Sequence, residues 1–208
     1  MALPTDYRGV ACPVVTSFTD GELDENALAD VVDWLVDSGV TGVMPAGTTG
    51  EFASLSDAEY ERVVATTVEA ADGRVPVFPG ALATSVPRTL AHLETLADLG
   101  ADAGVVTTPY FYTAKGPTGN ERFLRAVADD APLPLVFYNQ PRFTGSTIAP
   151  ETVRALATHE NVVGLKDSGG DLGYFSKVNP SAAVRPPLVE LTDAEREDVR
   201  SFLADISK

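Results

Sequence analysis

"NVVGLKDS", residues 161–168, is an apolar run that ends in one lysine and a polar turn. Short apolar runs that do not alternate with polar residues are typical of parallel strands covered on both faces. Lys166 stands at the carboxyl end of this run, although the chain has only four lysines against 30 acidic residues. From its position alone, Lys166 is either a chemical group in a site or a side chain that passes the strand end and pairs with Asp167.

Five similar runs precede this one, and a helical pattern separates each from the next. The predicted strands are 9–18, 42–47, 75–81, 103–111, 133–139 and 161–168. The predicted helices are 24–39, 56–73, 85–100, 118–131 and 149–159. A capping box of Ser56 and Glu59 marks the start of the second helix, and Pro150 stands near the start of the fifth. Strands that alternate with helices predict an α/β fold with a parallel sheet.

Polar residues at the strand ends distinguish two candidate architectures. An open doubly wound sheet usually carries a glycine fingerprint after its first strand, and residues 16–24 contain none. The candidate site residues instead follow the second, fourth, fifth and sixth strands, where a barrel builds its active site. The pattern therefore predicts a (β/α)8 barrel, the TIM barrel fold.

The alternation of strands and helices stops after residue 170. Residues 171–178 predict one or two helical turns, residues 179–191 are rich in proline, and a last helical pattern follows. We predict a barrel portion over residues 1–178, and a proline-rich connector with a C-terminal helix over residues 179–208. No seventh or eighth strand is recognisable, and a typical barrel needs about 250 residues. The expected fold is an incomplete barrel of about six βα units plus a C-terminal helix.

Composition argues against several classes of function. The net charge of −15 and the pI of about 4.4 disfavour binding to nucleic acid or anionic lipid. No apolar run is long enough to predict a membrane span, and the N-terminus shows no pattern of a signal peptide. Cys12 is the only cysteine, which excludes an internal disulfide and fits a cytoplasmic setting. Dispersed acid with eleven arginines and four lysines favours a halophilic host over an acidic mesophile.

Two further motifs could complete a site around Lys166. The segment "GTTGE" (47–51) offers two threonine hydroxyls and glycine N–H groups to a carboxylate or one phosphate, or is an ordinary βα turn. Tyr138 ends an apolar strand, so that its hydroxyl either carries protons at the barrel mouth or closes the core. A lysine amine kept uncharged by burial can attack a ketone and form a Schiff base, which is an electron sink.

Together these motifs resemble the dihydrodipicolinate synthase / N-acetylneuraminate lyase family of pyruvate-dependent class I aldolases. The matching segments are "GTTGE" at 47–51, "TPYF" at 108–111, "YNQP" at 138–141 and "GLKD" at 164–167. The resemblance implies that Lys166 forms the Schiff base with pyruvate or another 2-oxo acid, and that Tyr138 shuttles protons. It implies that Thr48 and Thr49, beside Gly47, hold the carboxylate. It also implies a hydrogen bond from Thr49 to Tyr138 and no metal or organic cofactor, since the lysine itself becomes the electron sink.

Two departures from the family pattern bear on the substrate. Dihydrodipicolinate synthases usually have a second tyrosine after "TPY", supplied across a subunit interface, where this chain has Phe111. They also place an arginine two residues after the proline of Y-N-x-P, where this chain has Phe143, with Arg142 one residue early. These differences favour an aldolase or lyase that acts on pyruvate and a 2-keto-3-deoxy sugar acid, such as 2-keto-3-deoxygluconate. Dihydrodipicolinate synthase and a sugar-acid dehydratase are the alternatives within the family.

The length of the chain adds alternatives of another class. The match to the family passes from residues 176–180 directly to a closing segment at 185–196, so we expect an internally shortened chain. A catalytically inactive remnant, or a binder of 2-oxo acids, would keep the same motifs without turnover. The resemblance further implies small-molecule partners, pyruvate and an aldehyde, and a homo-oligomer, commonly a tetramer, if the interface elements are present.

Overall fold

The computed structural model describes residues 9–111 and 117–178. The chain divides into two compact units, Met1–Gly169 and Gly170–Lys208. The elements of the first unit are β1 (Ala11–Pro13), β2 (Phe18–Thr19), β3 (Glu22–Leu23), α1 (Glu25–Asp37), β4 (Gly42–Met44), α2 (Asp57–Ala71), α3 (Val86–Asp98), β5 (Gly104–Thr107), α4 (Pro117–Asp130), β6 (Leu135–Asn139), α5 (Pro141–Thr144), α6 (Pro150–Leu156) and β7 (Val162–Asp167). The described part of the second unit holds α7 (Leu172–Val178).

The principal strands pair in parallel, as their apolar patterns predict. β1 pairs with β4, and β6 lies between β5 and β7. The segment 75–81 joins these two groups through parallel bridges from Val77 to Val43 and from Gly80 to Val105. This segment makes bridges rather than a continuous strand because Pro76 and Pro79 have no N–H to donate. The strand order is therefore β1, β4, 75–81, β5, β6 and β7.

The helices begin near the predicted positions because local capping fixes them. Ser56 and Glu59 form the predicted capping box at the start of α2. The side chain of Asp24 accepts a hydrogen bond from the backbone N–H of Ala27 and caps α1. Pro150 is the first residue of α6, where its missing N–H costs nothing. The predicted helices of the described chain are confirmed to within about three residues at their ends, a margin common to all assignments of helix ends.

An antiparallel hairpin of β2 and β3 was not predicted from the sequence. The single strand expected over 9–18 is instead β1, an extended link and β2. Asp20 and Gly21 both have positive φ, at 53° and 84°, which is the requirement of a type I′ hairpin turn. The Asp-Gly pair is a hairpin signal that would have revealed this turn.

The sheet of the first unit stays open at both ends within the described residues. In the ranges 9–111 and 117–178, β1 pairs only with β4, and β7 pairs only with β6. Val163 on β7 is 47% exposed, whereas Val106 on β5 is fully buried. The prediction of an incomplete barrel with six strand positions is confirmed. The predicted connector and C-terminal helix, 179–208, lie outside the described residues, so the predicted boundary at residue 178 stays a prediction.

The apolar core lies between the sheet and the helices that cover it. Val14, Leu28, Val63, Leu93, Leu96, Leu124, Leu135, Phe137, Ile148 and Leu156 are among its buried members. Among the described helices, none is long and apolar enough to cross a membrane. The core therefore fixes the strand ends that carry the polar residues described next.

Candidate active site

The register of β6 and β7 places the predicted catalytic pair side by side. Tyr138 is the direct parallel partner of Lys166. The ammonium nitrogen Nζ of Lys166 lies 3.7 Å from the centre of the Tyr138 ring. It donates a hydrogen bond of 2.9 Å to the hydroxyl of Ser168. The structural alternative from the sequence, a pair of Lys166 with Asp167, is not among the ion pairs of the described residues, and Oδ1 of Asp167 accepts hydrogen bonds from Asn139 and Gly169.

The loop after β4 brings a threonine to the same tyrosine. Thr48 Oγ1 lies 3.5 Å from the hydroxyl oxygen of Tyr138, and either atom could be the donor. The resemblance implied this hydrogen bond for Thr49, so that detail was wrong by one residue. Thr49 and Gly47 nevertheless line one cavity together with Thr48, Tyr138 and Lys166. The five residues predicted for the site are thus brought together, although their roles are not tested by this geometry.

This loop holds an unusual backbone conformation because its surroundings leave little room. Ala46 and Glu51, on either side of the threonines, have left-handed φ angles of 50° and 55°. A Cβ at Gly80 would collide with the carbonyl oxygen of Ala46, so the segment 75–81 can approach the loop only through a glycine. On the other side, the hydroxyl of Thr16 donates a 2.7 Å hydrogen bond to the carbonyl oxygen of Gly50. The threonines are therefore presented by a backbone that is fixed from two directions.

A polar clasp between the ends of β6 and β7 was missed by the sequence reasoning. The side-chain amide of Asn139 donates a 2.8 Å hydrogen bond to Oδ1 of Asp167, which also accepts from the N–H of Gly169. The other side of the Asn139 amide accepts from the backbone N–H of Ile148 at 3.0 Å. Asn139 and Asp167 directly follow Tyr138 and Lys166, so this clasp holds the candidate catalytic pair in register. Their shared place, one residue after each candidate, is the signal that could have identified them.

The hydroxyl of Tyr138 is surrounded by polar groups. Burial raises the pKa of Tyr138, but hydrogen bonds with Thr48, Ser168 and Gln140 and the charge of Lys166 together outweigh it and leave the pKa below its ordinary value of 10.0. The side-chain amide of Gln140 contributes a 3.3 Å hydrogen bond to this oxygen. A lowered pKa makes Tyr138 a better proton donor near neutral pH than an ordinary tyrosine.

Two adjoining cavities open at this edge of the sheet. The cavity that holds Lys166 has a volume of about 330 Å³, counted to its open mouth. A larger neighbour of about 750 Å³ shares Thr48 and Tyr138 with it and is also lined by Gln140, Phe143 and Tyr110. The second is the larger of the two, so the portion of a substrate that extends beyond Lys166 would lie in it. Among the described residues, no cluster of histidine, cysteine and acidic side chains is placed to hold a metal ion.

A sequence model of the dihydrodipicolinate synthetase family matches residues 6–182. The chain belongs to this family. The predicted family is confirmed, and so is the fold class, since the family's solved structures share this α/β architecture. The match ends at residue 182, so the expected closing segment at 185–196 and the expected internal shortening stay predictions.

Curated relatives within the family carry two kinds of name. A 4-hydroxy-tetrahydrodipicolinate synthase of Thermomicrobium roseum is 44% identical over 171 residues, which are 82% of this chain and 56% of the relative. An uncharacterized DapA-like lyase of Halobacterium salinarum is 41% identical over 175 residues, covering 84% of this chain and 57% of the relative. The chain thus spans less than two thirds of the length of these relatives.

Solved structures of the family superpose closely on this chain. The dihydrodipicolinate synthase of Thermotoga maritima gives a TM-score of 0.80 at 32% identity, covering 84% of this chain and 59% of that structure. A structure described as a monomeric dihydrodipicolinate synthase variant gives the same TM-score and identity, with 84% and 58% coverage. The superposed part includes most of the described chain.

Proposed function

We propose that this chain forms a Schiff base between Lys166 and pyruvate and acts as a pyruvate-dependent lyase of the dihydrodipicolinate synthetase family. The observation that carries the proposal is the position of Lys166 Nζ, 3.7 Å from the ring centre of Tyr138 and in the same cavity as Thr48 and Thr49. A nucleophilic amine, a proton carrier and hydroxyl donors for a carboxylate are the groups that this reaction requires.

Each group has a distinct role in the proposed reaction. Once the ammonium of Lys166 has lost a proton to water, its amine attacks the ketone carbon of pyruvate. Tyr138 delivers and removes protons, because it lies beside Lys166 and its lowered pKa makes its hydroxyl a better proton donor than that of an ordinary tyrosine. Thr48 and Thr49, with the backbone N–H groups of the loop beside Gly47, would bind the pyruvyl carboxylate, because N–H and hydroxyl donors at a strand end favour an anion.

The acceptor that the comparisons support is the aldehyde used by the 4-hydroxy-tetrahydrodipicolinate synthases. Relatives at 37–44% identity carry that name, so this alternative from the sequence is better supported than the sugar-acid reading. In this form of the proposal, the enamine made at Lys166 condenses with aspartate semialdehyde, the substrate that the family resemblance implies. The second cavity beside Tyr138 and Gln140 would receive it.

A 2-keto-3-deoxy sugar acid is the second candidate, and one observation favours it. The side chain of Phe143 lines the second cavity where a carboxylate-binding cation would be useful. The guanidinium of Arg142 lies 5.7 Å from the centre of the Phe143 ring, and Arg142 does not line that cavity. A wall without a cation disfavours the uncharged, hydroxylated chain of a sugar acid less than it disfavours a carboxylate.

Low turnover is expected from the described part of the chain. The strand that carries Lys166 is paired on one side only within residues 9–111 and 117–178. Water that reaches the site from the uncovered side weakens every electrostatic interaction in it. A binder of 2-oxo acids without turnover would then keep the same site, and an oligomer or a cytoplasmic setting stays a prediction.

Trapping with borohydride tests the proposal at the residue level. The 208-residue chain is incubated with pyruvate and sodium borohydride, digested and analysed by mass spectrometry. The expected result is a reduced pyruvyl adduct on the peptide that contains Lys166. Lys166→Ala should lose the adduct and keep its circular dichroism spectrum, whereas the control Lys177→Ala should keep both. An adduct on another lysine, or none in a folded sample, would overturn the proposal.

A competition between acceptors separates the two substrate candidates. Pyruvate consumption with aspartate semialdehyde is compared with pyruvate release from 2-keto-3-deoxygluconate, each with Lys166→Ala as the blank. We expect the condensation to be faster. Faster cleavage of the sugar acid would reverse the order of the two candidates without affecting the Schiff base.

A further inference from the structure

Ser168 contacts the proposed nucleophile but was not among the predicted site residues. Its hydroxyl accepts a 2.9 Å hydrogen bond from Nζ of Lys166. Its backbone N–H donates to the carbonyl oxygen of Asn139 at 3.0 Å, which fixes the residue against the end of β6. Ser168 is therefore held, by its own backbone, at the nitrogen where the proposed reaction begins.

Schiff-base formation needs proton transfers that the amine cannot make alone. When the nitrogen lone pair attacks the ketone carbon, a C–N bond forms and the carbonyl electron pair moves to oxygen. A proton must then leave the nitrogen and reach that oxygen, which gives the carbinolamine. A second proton on the oxygen lets it depart as water while the nitrogen lone pair forms the C=N bond. Overall, one amine, one ketone and one proton give one iminium and one water.

We propose that Ser168 is a catalytic residue that relays the first of these protons from Lys166 to Tyr138. This inference rests on the proposed function, since it needs a Schiff base at Lys166. In the relay, Ser168 takes a proton from Nζ and passes its own hydroxyl proton to the Tyr138 oxygen. Tyr138 passes its proton to the substrate oxygen. Each hydroxyl ends the step with one proton, so no external base or oxidant is needed.

The hydrogen bonds at Tyr138 point in the direction that this relay requires. The amide of Gln140 donates to the Tyr138 oxygen at 3.3 Å, so that oxygen is already an acceptor. The proton of Tyr138 is then free to point toward Thr48 or a substrate oxygen in the shared cavity. The Ser168 hydroxyl is also one of the groups that lower the pKa of Tyr138. Ser168 therefore contacts the amine that must lose the proton and influences the hydroxyl that must receive it.

Solvent limits the size of the expected effect. Ser168 is an exposed residue, so water can occupy the place of its hydroxyl in an alanine variant and relay protons with poorer geometry. General acid–base groups contribute roughly 100- to 10,000-fold, and we expect Ser168→Ala to lie below that range, with about a tenfold slower approach to the iminium. Ser168→Thr keeps a hydroxyl and should stay within about threefold of the parent chain.

The experiment measures the rate of trapping rather than its extent. The 208-residue chain is mixed with saturating pyruvate and quenched with borohydride at increasing times, and the Lys166 adduct is quantified by mass spectrometry. The variants are Ser168→Ala, Ser168→Thr and the control Ser38→Ala, whose exposed serine ends α1. We expect only Ser168→Ala to be slow, with an unchanged final adduct. An unchanged rate for Ser168→Ala, with normal trapping in the parent chain, would overturn the relay but not the Schiff base.

A second measurement does not depend on pyruvate. The absorbance of ionised tyrosine at 295 nm is titrated against pH for the parent chain and for Ser168→Ala. The same titration of each chain with Tyr138→Phe added is subtracted, which leaves the ionisation of Tyr138 alone. Because the Ser168 hydroxyl lowers the pKa of Tyr138, its loss should move that ionisation to higher pH, and Ser168→Thr should restore it. An unmoved ionisation would remove Ser168 from the hydrogen-bond chain even if the parent chain trapped no pyruvate.

Discussion

Strands β5 and β7 have similar apolar sequences, yet the structure covers them very differently. All four residues of β5 are buried between β6 and the segment 75–81, whereas none of the six residues of β7 is buried. The valines at position 106 of β5 and position 163 of β7 are 0% and 47% exposed. An apolar pattern therefore predicts that a strand is suited to burial, but the neighbours on both sides determine how much burial it receives. The proposed nucleophile lies on the less covered strand.

Removing the clasp between β6 and β7 should cause the largest loss of stability, because it detaches the less covered strand from its neighbour β6. Asn139→Ala removes the partner of Asp167 and of the backbone N–H of Ile148. Leaving buried polar groups without partners costs about 1–3 kcal/mol each, so urea unfolding should show a loss in that range or above. Lys166 should also trap pyruvate more slowly, because its register with Tyr138 is no longer fixed.

Asp167→Asn is the matched control for the clasp. An asparagine at 167 still offers a carbonyl oxygen to the Asn139 amide and to the N–H of Gly169, so most of the stability should remain. Equal losses from Asn139→Ala and Asp167→Asn would show that the charge of Asp167, rather than the hydrogen bonds, holds the strand ends together.

A pair of valine truncations measures the difference in burial directly. Val106→Ala on β5 should cost roughly 2 kcal/mol, since each buried methyl group is worth about 0.8 kcal/mol and a cavity remains. Val163→Ala on β7 should cost less than about 0.5 kcal/mol, as for other exposed positions. Urea unfolding of both variants provides the test. Similar losses would mean that β7 is covered in solution by something other than the described residues.

Replacing Gln140 tests the hydrogen bonds of Tyr138 at the carboxyl end of β6. Its amide hydrogen bond helps to lower the pKa of Tyr138. If neutral Tyr138 is needed as the proton donor, trapping falls as pH rises through that pKa, and the fall begins below the ordinary value of 10.0. Gln140→Leu should therefore move the alkaline fall to higher pH. Phe143→Leu, at a neighbouring position of the same cavity, should leave it in place, and a shift in both variants would point to the cavity shape instead.

Salt concentration should have the smallest effect on stability. It distinguishes instability caused by surface charge from instability caused by the uncovered strand β7. A net charge of −15 repels itself across the surface, and the screening length falls from about 10 Å at 0.1 M salt to about 3 Å at 1 M. The melting temperature should rise by a few degrees between 0.1 and 2 M KCl, where about 1 kcal/mol corresponds to roughly 2–4 °C for a chain of this size. A melting temperature that stays constant or falls with salt would indicate that the uncovered strand limits stability more than surface charge does. It would also count against a halophilic host.

The parts of the fold that were predictable are those encoded locally. Ser56 and Glu59 mark the start of α2, and the apolar runs before Tyr138 and Lys166 predict two adjacent parallel strands. The hairpin across Asp20 and Gly21 was equally local, but the apolar run over 9–18 hid it. By contrast, the interruption of the third strand by Pro76 and Pro79 needed the rule that a central strand must donate hydrogen bonds on both sides.

The site was predictable in its members but not in its contacts. The lysine, tyrosine and threonines are functional types at strand ends, so the sequence could identify them. Whether Thr48 or Thr49 reaches Tyr138 depends on the left-handed turn at Ala46, which no residue type in that loop requires. Ser168 and Gln140 each lie two residues after the group that they contact, Lys166 and Tyr138 respectively, and no motif in the sequence marks such contacts. The register of β6 and β7 then brings the two strand ends together.

The glycine at position 80 has a consequence for how this site can change over time. Because the Ala46 carbonyl occupies the space of a side chain there, even the smallest mutation at Gly80 must push the threonine loop away from Tyr138. One added methyl group, on a residue without a reactive side chain, would thus inactivate the site while every reactive side chain stayed intact. A lineage in which this family's chemistry decays can lose it at Gly80 as readily as at Lys166, and an inventory of reactive residues alone would not reveal the loss.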